Sequence, residues 1–278
     1  GLLNMMASLF SLLVSALLIA HAIGAEGEAC TGFVEYTVAF QGNWTEDNHP
    51  GAWVSNAHFS PPVAVVHNEE YALYTVGEKA SEGVEQVAEI GATTDLTNEL
   101  QVAQGKGTVG DYDQGNALFN KGQGITTMEV SACSKFPLVS VITMIAPSPD
   151  WFTGVNAFSL CDTESGQWET SAFISVYPYD AGTDSGADFN SANDNTSPAE
   201  PVTAMGQVYG APEDVLPVGY LIIERVSENS TMDCETLGNE GEPPDSGSSS
   251  SSHHLPFLAV AVLAVSHALL YCSFVDLL

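Results

Sequence analysis

Pro147-Ser148-Pro149-Asp150-Trp151-Phe152-Thr153-Gly154-Val155 and Tyr177-Pro178-Tyr179-Asp180-Ala181-Gly182-Thr183-Asp184-Ser185-Gly186 are the two most telling segments of this chain. Each follows an apolar run, Leu138 to Ala146 in the first case and Ala172 to Tyr177 in the second. A simple reversal needs only one or two of Gly, Pro, Asn or Asp. These turns carry aromatic side chains as well, together with Asp150, Asp180 and Asp184, whose oxygens suit a hard cation. The runs before them read as β-strands. Leu138 to Ile145 is so continuously apolar that it predicts a central strand buried on both faces.

The neighbouring segments agree. Phe33 to Phe40 alternates and ends at Gln41-Gly42-Asn43, the pattern of a strand and a turn. Ile125 to Val130 and Tyr220 to Val226 also read as strands. Ser81 to Ile90 sets Val84, Val87 and Ala88 at helical spacing, and Asp95 to Gln104 continues in that style, so one or two short amphipathic helices are predicted. Gly105 to Gly124 is Gly-rich and reads as a long loop. Its start, Gly105-Lys106-Gly107-Thr108-Val109-Gly110, matches G-x-G-x-x-G letter for letter. It follows a helical stretch where a phosphate site needs a strand, and Asp111 and Asp113 would repel a pyrophosphate. Several strands with few helices predict a mainly β protein, an antiparallel sandwich.

The ends of the chain have a different composition. Leu9 to Ile23 is apolar and leads into small residues up to Ala25, which predicts a secretory signal over residues 1–25. A single domain is expected over residues 30–235, followed by a Pro- and Ser-rich stalk over 239–254. Residues 255–278 are a hydrophobic tail. Small residues, a polar spacer and such a tail form the layout of a glycolipid (GPI) attachment signal, with a transmembrane helix as the alternative. The expected location is the extracellular face of the cell surface, with attachment to the membrane through the tail.

Five Lys and Arg stand against 35 Asp and Glu, a net charge of −30. Such a surface repels nucleic acid and favours divalent cations or cationic partners. Most of the acids serve solubility, and the sharper role falls to the two turns. Cys30, Cys133, Cys161 and Cys234 lie in the expected domain, and four cysteines allow three pairings. Their use, with sequons at Asn43, Asn195 and Asn229, fits an oxidising, glycosylating compartment.

Taken together, the two turns resemble the spondin domain, an N-terminal module of extracellular matrix and adhesion proteins. The resemblance runs from about Cys30 to Val226 and is densest from Leu138 to Gly186. It implies a sandwich akin to calcium-dependent membrane-binding domains. It also implies Ca²⁺ held by Glu129, Asp150 and Asp180, with Asp184 either a further ligand or a residue that shapes the turn. A Cys30–Cys161 bridge is implied too. Cys133 and Cys234 are then left to each other, a pairing the resemblance itself does not fix. The implied partners are extracellular matrix or cell-surface proteins or glycans.

Chemistry is weakly signalled. No G-x-S-x-G elbow or H-E-x-x-H occurs, and histidines before the stalk are few: His21, His49, His58 and His67. His58 reads as a packed core histidine. Trp151, Phe152, Tyr177 and Tyr179 read as packing beneath the turns. The expectation is a calcium-binding adhesion or matrix-binding module that is not an enzyme. The alternative is a secreted acidic hydrolase using a carboxylate pair on the same scaffold.

Overall fold

A computed structural model describes residues 30–205, 216–230 and 234. The expected signal, stalk and tail lie outside the described residues. Two antiparallel sheets face each other. The first has four strands in the order β10 (Ser171–Val176), β13 (Gly219–Asn229), β1 (Phe33–Asn43) and β5 (Gln123–Cys133). The second runs β12 (Thr203–Ala204), β11 (Pro178–Asp180), β7 (Trp151–Ser159), β6 (Leu138–Ala146), β3 (Val63–His67) and β4 (Val109–Gln114), and β2 (His58–Phe59) also pairs with β6. A short ribbon of β8 (Cys161–Asp162) and β9 (Gln167–Trp168) stands apart.

Period-two alternation builds the core between the sheets. Val34, Tyr36, Val38 and Phe40 of β1 and Met128 and Val130 of β5 point inward, onto Val139, Val141 and Ile145 of β6. The other face of the second sheet is covered by α1 (Glu82–Ile90) and α2 (Thr94–Gly105). There Val63, Val65, Ile142 and Phe152 pack against Val84, Val87, Leu96 and Leu100. This helix layer is why β6 is apolar on both faces, as predicted. Each fully buried Val, Leu or Ile contributes about 1.5–3 kcal/mol.

The first helix is well terminated. Ser81 Oγ accepts the Val84 N–H at 3.2 Å, and Gly91 closes the helix in the left-handed region with φ 68°. A Cβ at Gly91 would come within 2.8 Å of Ser60 Cβ, so conformation and space both favour glycine.

The expected loop over Gly105 to Gly124 is corrected by the structure. It contains β4, and the G-x-G-x-x-G letters run from the end of α2 into that strand, the reverse of a phosphate-binding order. The alternation Asp111-Tyr112-Asp113 was the missed strand signal. Its carboxylates face the free edge of β5, where Asp111 Oδ2 accepts the Ser131 N–H and Asp113 Oδ2 the Glu129 N–H, both at 2.8 Å. The two sheets are thereby joined at one corner through side chains, and an edge left open by strand pairing is satisfied.

Candidate metal centre

The chain leaves β6 at Ala146 and reverses through Pro147–Asp150. The turn is shorter than the sequence suggests, because Trp151 already begins β7. Ser148 Oγ accepts the Trp151 N–H at 3.0 Å and tightens the reversal. β7 pairs with β11 so that Trp151 faces Asp180 and Phe152 faces Tyr179. This register sets Asp150 next to Asp180, and the loop after β11 folds back over both.

Asp150 is completely buried. Its Oδ2 accepts the N–H groups of Thr183 at 2.7 Å and Asp184 at 3.1 Å, and the Thr183 hydroxyl at 3.3 Å. Its Oδ1 is equally buried and meets no protein donor. Burial pushes the Asp150 carboxyl above its ordinary value, and the N–H groups of Thr183 and Asp184 oppose that shift. Asp180 is half-buried, and its Oδ1 accepts the Gly182 N–H at 2.8 Å. Burial first, and the Asp150 charge second, push Asp180 up to about 6. Gly182 has φ 74° and lies against the Glu200 carbonyl, which a Cβ would meet at 2.4 Å.

Asp184 is buried with both oxygens engaged, Oδ1 with the Gly186 N–H at 2.7 Å and Oδ2 with the Asp194 N–H at 2.8 Å. It therefore shapes the loop. Glu89, near the end of α1, is the residue that sequence reasoning missed. Burial raises its carboxyl, the Thr183 hydroxyl opposes this, and repulsion from Glu85, Asp184 and Asp150 adds to it. Its Oε1 is buried without a protein partner. No local motif announces Glu89. The only signal was an acid in the last turn of a helix that packs on the strand leading into the first turn.

Glu129 stands elsewhere. It lies on β5 in the first sheet, opposite Thr37, and alternation with the inward Met128 and Val130 turns its side chain out to solvent. Among the described residues, no three His, Cys, Asp or Glu side chains form a ready ligand set. The structure brings together Asp150 and Asp180 with Asp184 and Glu89, and it does not bring Glu129 to them.

The aromatic residues do two different things. Trp151 and Phe152 are buried. Phe152 stacks on Tyr179 at 5.5 Å between centroids and meets Tyr74 edge-on at 4.9 Å. Tyr177 is 43% exposed, contrary to the expectation that it packs beneath the turn. His58 is also not a core residue. It is half-buried, stacks on the exposed Phe119, and its Nδ1 lies 2.8 Å from the Asn56 carbonyl. The buried histidine is His67, whose Nε2 lies 2.7 Å from Ser140 Oγ. Both members of that pair are sealed from solvent, and Ser140 Oγ also accepts the Ala157 N–H at 2.8 Å, so the pair secures the irregular β6–β7 register. Asp150, lacking any exposed surface, cannot act with Asp180 as a hydrolytic pair on an external substrate.

Cys30 is bridged to Cys161, and Cys133 to Cys234. Asn195 and Asn229 are exposed, whereas the Asn43 amide donates to the Pro217 carbonyl at 3.1 Å and to the Tyr220 hydroxyl at 3.4 Å. No helix among the described residues is long and apolar enough to cross a membrane.

Comparison with known proteins agrees with this architecture. The Spondin_N family model matches residues 34–214. Spondin-1 of Rattus norvegicus is 34% identical over 213 residues, 72% of this chain and 26% of that protein. Spondin-2 of Homo sapiens is 33% identical over 205 residues, 68% of this chain and 59% of that protein. The chain thus spans about a quarter of the length of Spondin-1, and more than half of Spondin-2. On the family match and these identities, the chain belongs to the spondin family through its Spondin_N domain.

Proposed function

We propose that the chain is a calcium-stabilised adhesion or matrix-binding module tethered to the outer cell surface by its C-terminal tail. Spondin homologues are extracellular matrix proteins without enzymatic activity, which supports the general class. One observation carries the metal reading: Asp150 Oδ1 is buried with no protein donor, beside a second carboxylate whose proton affinity is already raised. Every donor at the site is oxygen, and no Lys or Arg stands among the groups that shift these acids. That donor set fits a hard cation. Asp150 and Asp180 would supply its carboxylates, with Glu89 and Asp184 as the nearest further acids and backbone or water oxygens completing the shell. Bound calcium would neutralise charges that otherwise repel.

Melting the protein in calcium and in chelator tests this. A rise of a few degrees at a calcium level about ten times the dissociation constant is expected, from roughly 1.4 kcal/mol of linkage. Equal melting in both, with no heat of calcium uptake in calorimetry, would remove the metal from the reading. The tether has a separate test. Phosphatidylinositol-specific phospholipase C should release the protein from intact cells, and retention after treatment would favour a transmembrane helix. Matrix and cell-surface partners are best sought on protein and glycan arrays with and without chelator.

A further inference from the structure

The helices cover the outer face of the second sheet, but no described element packs on the outer face of the first. Strand register shows what that face presents. Phe173 lies beside Ile222, and Tyr220 stacks on Phe173 with centroids 5.0 Å apart. Ile125 shares a row with Tyr220 across Gln41. Phe173 is 54% exposed and Ile125 45%. One row to the other side of Ile222, Glu224 and Glu129 flank Thr37. With strands about 4.8 Å apart, the face is about 14 Å wide across its four strands, the size of one helix or extended segment. It is an apolar centre with a carboxylate border and no cation. The only Arg of the sheet, Arg225, is occupied by Glu228 at 2.6 Å and the Trp168 carbonyl at 3.3 Å.

Charge decides what can cover it. All five Lys and Arg of the chain are Lys79, Lys106, Lys121, Lys135 and Arg225. Residues 1–29, 206–215 and 231–278 contain none, so these segments have no cation to offer Glu129 and Glu224. A second copy would set acid against acid on molecules of net charge −30 each. We infer that this face docks a segment of a partner protein that presents aliphatic or aromatic side chains beside Lys or Arg. The surface is separate from the Asp150 turn, so this docking does not depend on the calcium reading.

The test uses purified full chain on a sensor surface in calcium-containing buffer. The probe is an amphipathic Leu/Lys peptide of roughly 18 residues, five helical turns, compared with its Leu/Glu counterpart. The Leu/Lys peptide should bind and the Leu/Glu peptide should not. Phe173→Ser with Ile125→Ser should weaken binding about tenfold or more. Glu129→Gln with Glu224→Gln should weaken it about three- to fivefold and flatten its salt dependence. Glu69→Gln with Glu70→Gln, exposed acids away from this sheet, should change it by less than about twofold. All changed side chains are exposed or half-buried, and unchanged melting curves would show that each variant folds. Absence of binding would overturn the proposal. So would equal weakening by the Glu69/Glu70 pair, or binding unaffected by the Phe173/Ile125 pair. A dimer that Phe173→Ser dissociates would make a second copy the occupant instead.

Discussion

Asp150 and Asp184 are linked in series. Asp150 Oδ2 accepts the Asp184 N–H at 3.1 Å, and the Asp184 carboxylate in turn accepts the N–H groups of Gly186 and Asp194 at 2.7 and 2.8 Å. One buried acid fixes the peptide from which the next buried acid organises the rest of the loop. The two differ in what they have left over. Asp184 has both oxygens engaged by the backbone, while Asp150 keeps one oxygen without a protein donor.

That difference separates two substitutions. Asp150→Ala should cost about 2 kcal/mol in chelator, because Oδ2 serves three loop donors, and should also lose the calcium-dependent melting shift. Asp180→Asn should remove most of that shift without the cost in chelator. In chelator the sign reverses. The folded Asp180 carboxyl titrates near 6, above its unfolded value of about 4. Stability from the bound proton is therefore complete below pH ~4 and lost as pH rises through 6. The Asn variant should match wild type at pH ~4 and exceed it at pH ~7.5 by at most about 1 kcal/mol, since solvent screens a half-exposed carboxyl. Calorimetry at the two pH values, with and without calcium, gives all four comparisons.

Loss of either disulfide should be costly. The bridged residues are separated by 131 and 101 positions, and closing loops of this size stabilises by about 4–5 kcal/mol in the chain-entropy model. The logarithmic dependence makes the two loop contributions nearly equal. Cys30→Ala with Cys161→Ala should still be the worse pair, because both sulfurs belong to the core between the sheets. Urea titration of the two double variants measures the difference. A smaller loss for Cys30/Cys161 would contradict it.

The acids at the β4–β5 corner should matter unequally. Asp111 is largely buried, and burial raises its carboxyl above the ordinary value. Asp111→Ala leaves the Ser131 N–H without its acceptor and should cost about 1–3 kcal/mol. Asp113→Ala exposes the Glu129 N–H to water and should cost less than about 1 kcal/mol. Hydrogen exchange read at the Ser131 amide should accelerate in the Asp111 variant alone.

His67 predicts an acid limit. Burial lowers its pKa below the ordinary value, so the folded state holds it neutral. The associated stability is complete above the unfolded value of about 6.5 and is lost as pH falls through it toward the depressed folded value. A His67→Gln variant should be less stable at neutral pH but should lose less on acidification from pH ~7 to ~5. Parallel slopes for the two proteins would show that another group controls the acid limit.

Local pattern made five of the thirteen described strands visible: β1, β5, β6, β10 and β13 each carry an apolar run or alternation long enough to detect. The short strands were hidden for identifiable reasons. Val109 to Gln114 has only one large aliphatic residue, and it holds its place partly by side-chain bonds to β5 that no local pattern encodes. Asp150 and Asp180 were legible because each sits at a turn beside aromatic residues. Glu89 was not, since it reaches the site from a helix 61 positions before Asp150, and only the packing of α1 on the second sheet brings it there. Glu129 misled because acidity along a strand is visible in sequence, whereas the face it occupies depends on register.

The two bridges also determine where the domain yields when pulled. Cys30 precedes β1 and Cys234 follows β13, and these strands are neighbours, with Phe33 opposite Asn229. Tension on the chain beyond Cys234 would otherwise unzip β13 from β1 and β10 one hydrogen bond at a time, beginning at its free end. The covalent link to Cys133 shares that force between β13 and β5, which flank β1 on either side, so neither strand is loaded alone. The Asp150 turn lies at the opposite end of β6, so traction through an anchored C-terminus enters the domain away from the carboxylate turn.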